Sequence, residues 1–373
     1  MSTFSSLGIH ENYIKAIKEL GISIPSEIQQ KTIPILLDAA TDFIGLAQTG
    51  TGKTAAFGLP ILHHIDVSSD NIQALILSPT RELVQQIKKQ LFKFTKFSED
   101  KIFVEAVFGG EKIDRQMNNL KRTTHIVVAT PGRLIDLIER GSIDISHVKT
   151  VILDEADEML SMGFKQDLNR ILKFTTESNR KTWLFSATMP EEIKRIVKTY
   201  MDSNAPRVEI NRSSLVNENI RHHFAKTTLK EKTNDIVAFL EKRQDQRGII
   251  FCRTKAGAQN LAAHLIEEGF STAALEGDMQ QKERDKVMRA FKKENLQYLV
   301  STDVSARGID VSGLEFVIHH QLPEQLEYYT HRSGRTARAG KTGVSIAFIL
   351  PSEIVKIHEI QKELNINFSE VTV

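Results

Sequence analysis

The segment from residue 47 to 54 combines two glycines, a lysine and a closing threonine, a composition that suits a phosphate chain. It follows the apolar run Phe43–Leu46 and precedes a helix-like stretch that begins at Ala55, which is the context of a P-loop. Backbone N–H groups of such a loop wrap phosphates, its lysine reaches the terminal phosphates, and its last hydroxyl suits Mg²⁺. The sequence therefore predicts a site for ATP and Mg²⁺, although position 47 departs from the usual Gly; a glycine-rich turn is the alternative. The eight residues are Ala47, Gln48, Thr49, Gly50, Thr51, Gly52, Lys53 and Thr54.

Acidic residues follow directly on the apolar run Val151–Leu153. In an open α/β sheet, the carboxyl end of a strand is where the chemistry is placed. Asp154 is predicted to join Thr54 in holding Mg²⁺, and Glu155 to orient or deprotonate the attacking water. The alternative is an acidic start to the next helix, stabilised by the helix dipole. Because these acids follow both a P-loop and a strand, a role in ATP hydrolysis is favoured over the helix-start alternative.

The second half of the chain has no second P-loop but carries two arginines, Arg335 and Arg338, in the stretch from His331 to Gly340. Arginines three residues apart share a face if the segment is helical. Together with Lys53, they would neutralise the charge that develops on a γ-phosphate. A basic, solvated surface is the alternative. The sequence thus predicts one ATP site that both halves complete.

Four further segments each follow a strand-like run and start a helix or turn with threonine, arginine or proline. Helix N-termini of this kind bind phosphates, and since ATP already has its loop, these segments are predicted to grip a nucleic-acid backbone. Ordinary helix N-capping is the alternative for any one of them. The residues are Pro79, Thr80, Arg81, Thr130, Pro131, Gly132, Arg133, Arg253, Thr254, Thr302 and Asp303.

Composition limits the function classes. The 373 residues carry a net charge of only +2, so nucleic-acid binding must come from local arrangements. The single cysteine, Cys252, excludes an intrachain disulfide framework and a zinc ribbon, and it suits a reducing compartment. No apolar run approaches 18 residues, and the N-terminus lacks the pattern of a secretory signal. We therefore expect a soluble, cytoplasmic protein without a membrane partner.

Short apolar runs alternate with longer helical patterns, which predicts βαβ units around parallel sheets. The length exceeds that of one compact core, so two domains are expected. The polar stretch from Ser203 to Asn219 predicts a boundary, with domains at 1–207 and 218–373 and a linker at 208–217. The strand-like runs are Phe43–Ala47, Ala74–Leu77, Ile126–Ala129, Val151–Leu153, Trp183–Phe185, Gly248–Phe251, Tyr298–Val300, Phe316–Ile318 and Val344–Ile349.

With these motifs in this order, the chain resembles the DEAD-box RNA helicases over nearly its whole length. The segments that carry the resemblance are the P-loop, Gly109–Gly110, Asp154–Asp157, Ser186–Thr188, Gln281–Arg284, Arg307–Asp310 and His331–Gly340. The resemblance implies an α/β fold with two tandem RecA-like domains, each a mainly parallel sheet flanked by helices. It also implies that these lobes close on ATP and single-stranded RNA and unwind or remodel short RNA duplexes.

The resemblance assigns roles that the residues alone do not. Ser186 and Thr188, with Asp157, would couple the catalytic acids to RNA binding. Gln29, in a motif spanning 2–30, would read the adenine edge, although Ser26 and Gln29 also form a capping box. Most members carry an aromatic after Gly21, where this chain has Ile22. The remaining assignments are Phe4 near the base, Asp310 at the ribose, His331 near the γ-phosphate, and Gly110, Gln281 and Arg284 on RNA.

Two rival functions use the same residues. The first is an ATP-gated RNA clamp in which hydrolysis serves mainly for release. The second is a motor that acts on DNA, because phosphate grips do not read the sugar. Turnover and strand displacement separate the first rival from a helicase, and a comparison of RNA with DNA separates the second.

Overall fold

The structure, a computed structural model, describes residues 2–38, 41–48, 50–210, 219–306, 313–337 and 341–373. The chain divides into two compact units, Met1–Ile210 and Asn211–Val373. Among the described residues, none of the helices is long and apolar enough to cross a membrane.

The first unit contains a seven-stranded sheet whose neighbouring strands all run parallel. Its strands are β1 (Phe43–Leu46), β2 (Ala74–Leu77), β3 (Val104–Val107), β4 (Ile126–Ala129), β5 (Thr150–Asp154), β6 (Lys181–Ser186) and β7 (Arg207–Glu209). They lie in the order β3-β4-β2-β5-β6-β1-β7.

Helices cover both faces of this sheet. They are α1 (Glu11–Glu19), α2 (Glu27–Leu37), α3 (Lys53–His64), α4 (Arg81–Phe94), α5 (Ile113–Leu120), α6 (Pro131–Glu139), α7 (Ala156–Ser161), α8 (Lys165–Phe174) and α9 (Glu191–Tyr200). The central strands β1, β2, β4 and β5 are buried along their whole length, which explains their continuous apolar sequences. Successive residues of these strands belong alternately to two hydrophobic clusters, one on each face of the sheet.

The second unit repeats this plan with another seven-stranded parallel sheet, in the order β10-β11-β9-β12-β13-β8-β14. Its strands are β8 (Ile220–Lys226), β9 (Gly248–Phe251), β10 (Thr272–Leu275), β11 (Tyr298–Ser301), β12 (Phe316–His319), β13 (Gly343–Ile349) and β14 (Phe368–Glu370). Its helices are α10 (Lys232–Glu241), α11 (Lys255–Glu267), α12 (Gln281–Lys292), α13 (Asp303–Ala306), α14 (Leu326–Ser333) and α15 (Ile354–Leu364).

The predicted α/β class with mainly parallel sheets and flanking helices is confirmed. Val208 and Glu209 of the predicted linker, 208–217, lie in β7, where they pair with β1. Residues 211–217 of that linker lie outside the described part of the chain. The limits 1–207 and 218–373 stay predictions.

Candidate active site and nucleic-acid interface

The P-loop connects the end of β1 to the start of α3. Gly50 and Gly52 have φ angles of 86° and 95°, in the left-handed region that favours glycine. At Gly52 a Cβ atom would come within 2.4 Å of Gln29 Nε2, so a larger residue would have to displace that side chain. Thr49, also predicted to bind the cofactor, lies outside the described residues. The backbone of the described part of the loop therefore requires glycine where the phosphate motif has it.

Helix α2 holds this loop through two side chains. The Ser26 hydroxyl donates to the Thr51 carbonyl at 2.7 Å, and Gln29 Nε2 donates to the Gly52 carbonyl at 3.0 Å. Gln29 Oε1 accepts from the Ser26 N–H at 2.9 Å, the interaction that a capping box supplies. An amide group has two donors and two acceptor lone pairs, so one of each remains for an adenine edge. The capping bonds therefore do not use up the amide of Gln29, a residue that is 3% exposed, and its adenine-reading role stays a prediction.

Lys53 and Asp154 converge on the loop. Lys53 is 6% exposed, and its Nζ donates to the Ala47 carbonyl at 3.0 Å. Asp154 ends β5 and is 5% exposed, and burial raises its pKa to about 7 against the opposing charge of Lys53. Asp154 Oδ1 has no hydrogen-bond partner among the described residues. A buried acceptor without a donor is costly, and it fits a cation bound together with phosphates.

The fit to Mg²⁺ comes from this orphaned oxygen and from the threonine at the start of α3. Thr54 is half-buried one residue beyond Lys53. Within the described residues, no group of three His, Cys, Asp or Glu side chains could hold a metal by itself. Mg²⁺ typically uses one or two protein ligands together with nucleotide phosphates, so a sparse protein ligand set is what its chemistry requires.

Glu155 has a strained backbone. It lies between β5 and α7 with φ 53° and ψ 51°, the left-handed conformation that non-glycine residues seldom adopt. Strain of this kind persists only where the surrounding structure enforces it, and it is concentrated at functional sites. This backbone conformation fixes the position of the Glu155 side chain at the carboxyl end of β5.

Asp157 connects the acidic segment to the end of β6. Its Oδ2 accepts from both the Thr188 N–H and the Thr188 hydroxyl, each at 2.8 Å. Its own N–H donates to the Ser186 hydroxyl at 3.2 Å. The three residues predicted to couple the catalytic acids to RNA binding are therefore joined by hydrogen bonds within the first unit.

Two of the segments predicted to bind backbone phosphates follow β2 and β4, which are neighbouring strands of the first sheet. Thr80 caps α4, its hydroxyl accepting from the Leu83 N–H at 3.3 Å, and the Arg81 guanidinium lies 5.2 Å from the centre of the Phe108 ring. Thr130 is the N-cap residue of α6 but makes no side-chain capping hydrogen bond to the described backbone. Capping is thus observed for Thr80 and not for Thr130.

The other residues of these first-unit grips differ in how they are held. Arg133 Nη1 donates to the Glu111 carbonyl and to Gln116 Oε1, both at 3.1 Å. Pro79 is buried, whereas Pro131 opens α6 and a Cβ on Gly132 would meet open space. Gly110 has a φ of 83°, which favours glycine.

The remaining grips follow β9 and β11, which are neighbours in the second sheet. Arg253 is exposed, and its Nη2 donates to the Leu322 carbonyl at 3.2 Å. The Thr254 hydroxyl caps α11 by accepting from the Gly257 N–H at 3.0 Å. Thr302, at the end of β11, is 7% exposed.

The start of α12 contributes two more residues predicted to bind RNA, of which Arg284 lies close to this second set. Arg284 Nη2 donates to the Ser305 carbonyl at 2.7 Å, and the Thr302 hydroxyl donates to the Ser305 hydroxyl at 3.0 Å. Gln281 Nε2 donates to Asp285 Oδ1 at 2.8 Å. Arg284 and Thr302, both predicted to bind RNA, therefore contact the same residue, Ser305.

Arg335, one of the two arginines predicted to reach the γ-phosphate, is not presented by a helix. Helix α14 ends at Ser333 with Gly334 as its C-cap, so Arg335 lies beyond it and donates from Nε to the His331 carbonyl at 3.2 Å. The helical condition for a face shared by Arg335 and Arg338 is not met at Arg335. Arg338 and Asp310 lie outside the described residues.

Arg332 is a residue whose importance the sequence did not reveal. It is 2% exposed, donates from Nη2 to Asp303 Oδ2 at 2.6 Å, and donates from Nη1 to the Gln321 carbonyl at 2.7 Å. Its Nε also donates to Asp303 Oδ1 at 2.5 Å, so the Asp303 carboxylate predicted to touch RNA is held in a bidentate ion pair. In the sequence Arg332 is marked only by its position next to His331. That position does not show whether an arginine side chain points into the core or into solvent.

Phe4 differs from its predicted role beside the base. It is 3% exposed and belongs to the hydrophobic core that also contains Ile9, Ile17 and Leu36. A ring packed into a core offers no free face to a nucleotide, so Phe4 anchors the N-terminal segment instead.

Two family models match the chain. Residues 26–196 match the DEAD/DEAH box helicase model, and residues 231–340 match the helicase conserved C-terminal domain. The first match contains the P-loop and the acids after β5, and the second contains the segment after α14.

Known proteins resemble the chain over almost its whole length. It is 44% identical to the ATP-dependent RNA helicase CshA of Limosilactobacillus reuteri, covering 96% of this chain and 71% of that protein. It is 42% identical to the DEAD-box ATP-dependent RNA helicase CshA of Geobacillus kaustophilus, covering 97% and 76%. Among solved structures, S. cerevisiae Dbp5 bound to RNA and ADP BeF3 matches with a TM-score of 0.90 and 30% identity, covering 100% of this chain and 96% of that one.

Proposed function

The chain belongs to the DEAD-box family of ATP-dependent RNA helicases, and on that premise we propose which of its residues bind ATP, hydrolyse it and hold RNA. It is an RNA-dependent ATPase built on two tandem RecA-like domains, with RNA as its substrate. The observation that carries the assignment of residues is the buried, unpartnered oxygen of Asp154 beside Lys53 of the P-loop.

The nucleotide is assigned to the loop from 47 to 54. Its backbone N–H groups and Lys53 hold the phosphates, and α2 keeps the loop in shape through Ser26 and Gln29. Asp154 and Thr54 are the residues that would hold Mg²⁺, which would supply positive charge to the β- and γ-phosphate oxygens. This assignment gives the orphaned oxygen of Asp154 a partner.

Hydrolysis is assigned to Glu155, which accepts a proton from the attacking water or orients that water. Its enforced left-handed backbone supports a role that depends on placement. Arg335 is proposed to stabilise the charge that develops on the transferred phosphate. The roles of Arg338, His331 and Asp310 stay predictions from the family resemblance.

RNA is assigned to the strand ends of both sheets, with Thr80, Arg81 and Arg133 in the first unit and Arg253 and Thr302 in the second. These residues present hydroxyls, guanidinium groups and helix N-termini, which bind phosphates and sugars without reading sequence. Asp303 is reassigned from RNA contact to the positioning of Arg332, because the two form a bidentate pair. A cytoplasmic location stays a prediction.

Strand displacement by the parent protein and by Glu155→Gln tests the function. The parent should separate a short RNA duplex when ATP is added. Glu155→Gln should bind ATP and RNA normally yet lose hydrolysis by about 100-fold or more, since a positioned base contributes that much. The matched control is Glu192→Gln, which makes the same change at an exposed position of the first unit and should leave activity at the parental level.

Each rival function has its own outcome in this experiment. Parental turnover in Glu155→Gln would show that Glu155 does not handle the water. ATP-dependent RNA binding without strand displacement would make the protein an RNA clamp. Equal or better activity on the matching DNA duplex would overturn RNA as the substrate.

A further inference from the structure

Helix α12 and the residue after it carry an unusual share of the positive charge of the chain. The stretch Gln281–Lys293 has six basic and two acidic residues, a net charge of +4. Since the whole chain has a net charge of +2, all the other residues together carry −2. A local field of this sign attracts polyanions even though the protein as a whole is nearly neutral.

Four of these basic residues form one stripe, which we call the α12 stripe: Lys282, Lys286, Arg289 and Lys293. All four are exposed, and their spacing of four, three and four residues places them on one face of the helix. The opposite face buries Met288 and Phe291 in the core. At 1.5 Å per residue, the stripe is about 16 Å long, enough for several successive phosphates.

The lysines of the stripe are not occupied by carboxylates. Within the described residues, Lys282, Lys286 and Lys293 form no ion pair, whereas Lys226 and Lys255 of the same unit pair with Glu370 and Asp278. The neighbouring Asp285 accepts from Gln281, and Arg289 Nε donates to the Asp285 carbonyl at 3.1 Å. The three ammonium groups are therefore available to an external anion.

The stripe begins in the same helical turn as Gln281 and Arg284, two of the proposed RNA contacts of the second unit. Lys282 follows Gln281 in the chain, and Arg284, one turn into the helix, is bonded to Ser305 beside Thr302. Lys282 and Arg284 therefore lie in the same first turn of α12 but on different sides of the helix, so an RNA backbone that leaves Arg284 around the start of α12 meets Lys282 first.

We propose that the α12 stripe binds the phosphate backbone of RNA that extends beyond the segment held at the strand ends. This inference rests on the proposed function, because it needs RNA at Thr302 and Arg284. The contact is electrostatic and independent of sequence. It makes affinity increase with RNA length while leaving the hydrolysis site unchanged.

The test is the triple variant Lys282→Gln/Lys286→Gln/Lys293→Gln, titrated with a single-stranded RNA of about 10 nucleotides and with one about four times longer. For three phosphate contacts at about 0.7 counterions each, the salt slope on the longer RNA should fall by about 2. Between about 50 and 200 mM salt the parent should therefore lose about twentyfold more affinity than the variant. Binding of the short RNA and the ATPase activity it stimulates should be unchanged.

The control is Lys242→Gln/Lys356→Gln/Lys362→Gln, which removes the same charge from exposed positions elsewhere in the second unit and should match the parent. A stripe variant that keeps the parental length dependence and salt slope would overturn the proposal. So would a control that loses as much as the stripe variant, since the effect would then be one of net charge. Failure of the proposed function is distinguishable, because the parent would then show no ATPase activity stimulated by the short RNA.

Discussion

Tyr329 lies at the centre of a buried polar cluster in the second unit. Its hydroxyl is 2.7 Å from His222 Nδ1 and 3.3 Å from the Ser345 hydroxyl, and its ring stacks on His319 with 4.7 Å between ring centres. Burial lowers the pKa of His222 to about 4, lowers the pKa of His319 well below its usual value, and raises that of Tyr329. The cluster is therefore neutral at physiological pH, and it supports the helix that carries Arg332 and His331.

The depressed pKa of His222 predicts acid sensitivity. Between pH 6.5 and about 4 the unfolded chain binds a proton at His222 that the native protein does not. Stability is therefore full above pH 6.5 and falls as the pH drops, by up to about 1.4 kcal/mol per pH unit for one proton. In His222→Gln, which does not titrate, the loss of stability between pH 7.5 and 5 should be smaller by about 1 kcal/mol or more.

Urea unfolding of the intact protein at the two pH values measures this difference. The control is His358→Gln, an exposed histidine of α15, which should retain the parental pH dependence. An unchanged pH dependence in His222→Gln would show that His222 does not stay neutral in the native state.

At the scale of elements, the strands that the sequence predicted are those buried on both faces. The runs Ala74–Leu77, Ile126–Ala129 and Gly248–Phe251 coincide with β2, β4 and β9. The strands without a predicted run include all four sheet edges. The edges β3, β7, β10 and β14 are partly exposed, so their sequences lack a continuous apolar run, and they formed because neighbouring strands offered backbone partners.

The hydrogen bonds that Ser26 and Gln29 make to the P-loop were only partly predictable from the sequence. The capping box of Ser26 and Gln29 follows from their spacing, but their bonds to the Thr51 and Gly52 carbonyls depend on tertiary packing. The same limit applies to the Arg332–Asp303 pair, whose members are 29 residues apart. Contacts between distant segments leave no periodic pattern in the sequence.

Gln29→Ala tests whether the Gln29 amide both bonds Ser26 and Gly52 and recognises the adenine base of ATP. Loss of the bonds to Ser26 and Gly52 should lower stability by about 1 kcal/mol, the usual cost of a lost cap. If the second donor and acceptor of the amide read adenine, the preference for ATP over GTP should fall as well. Thermal unfolding and competition between the two nucleotides measure these effects separately.

The control for this variant is Gln30→Ala, since Gln30 bonds the Pro25 carbonyl on the same helix. It should leave the ATP to GTP ratio at the parental value. If Gln29→Ala melts earlier but keeps that ratio, Gln29 acts as a cap alone.

At the scale of the whole molecule, each unit has its own sheet and its own hydrophobic clusters, so each is expected to fold independently. The P-loop, the strained Glu155 and the Asp157 hydrogen bonds all belong to the first unit. Arg335 and the α12 stripe belong to the second. The polar stretch that predicted a boundary was informative because the division between the two units, after Ile210, falls within it.

A fragment of residues 1–210 tests whether turnover needs both units. It should bind ATP like the intact chain, because it contains the whole loop from 47 to 54 together with Asp154. It should show no ATPase activity stimulated by RNA, because it lacks Arg335 and the RNA contacts of the second unit. Nucleotide titration and steady-state hydrolysis with and without RNA measure the two properties.

Arg335→Ala in the intact chain separates the arginine from the remainder of the second unit. Hydrolysis should fall by about 10³ or more if Arg335 stabilises the transferred phosphate, while RNA binding in the absence of nucleotide should be unchanged. Arg335→Lys keeps the charge but loses the planar guanidinium, so it should restore only part of the rate. RNA-stimulated turnover in the fragment alone, or parental turnover in Arg335→Ala, would show that the first unit is sufficient for catalysis.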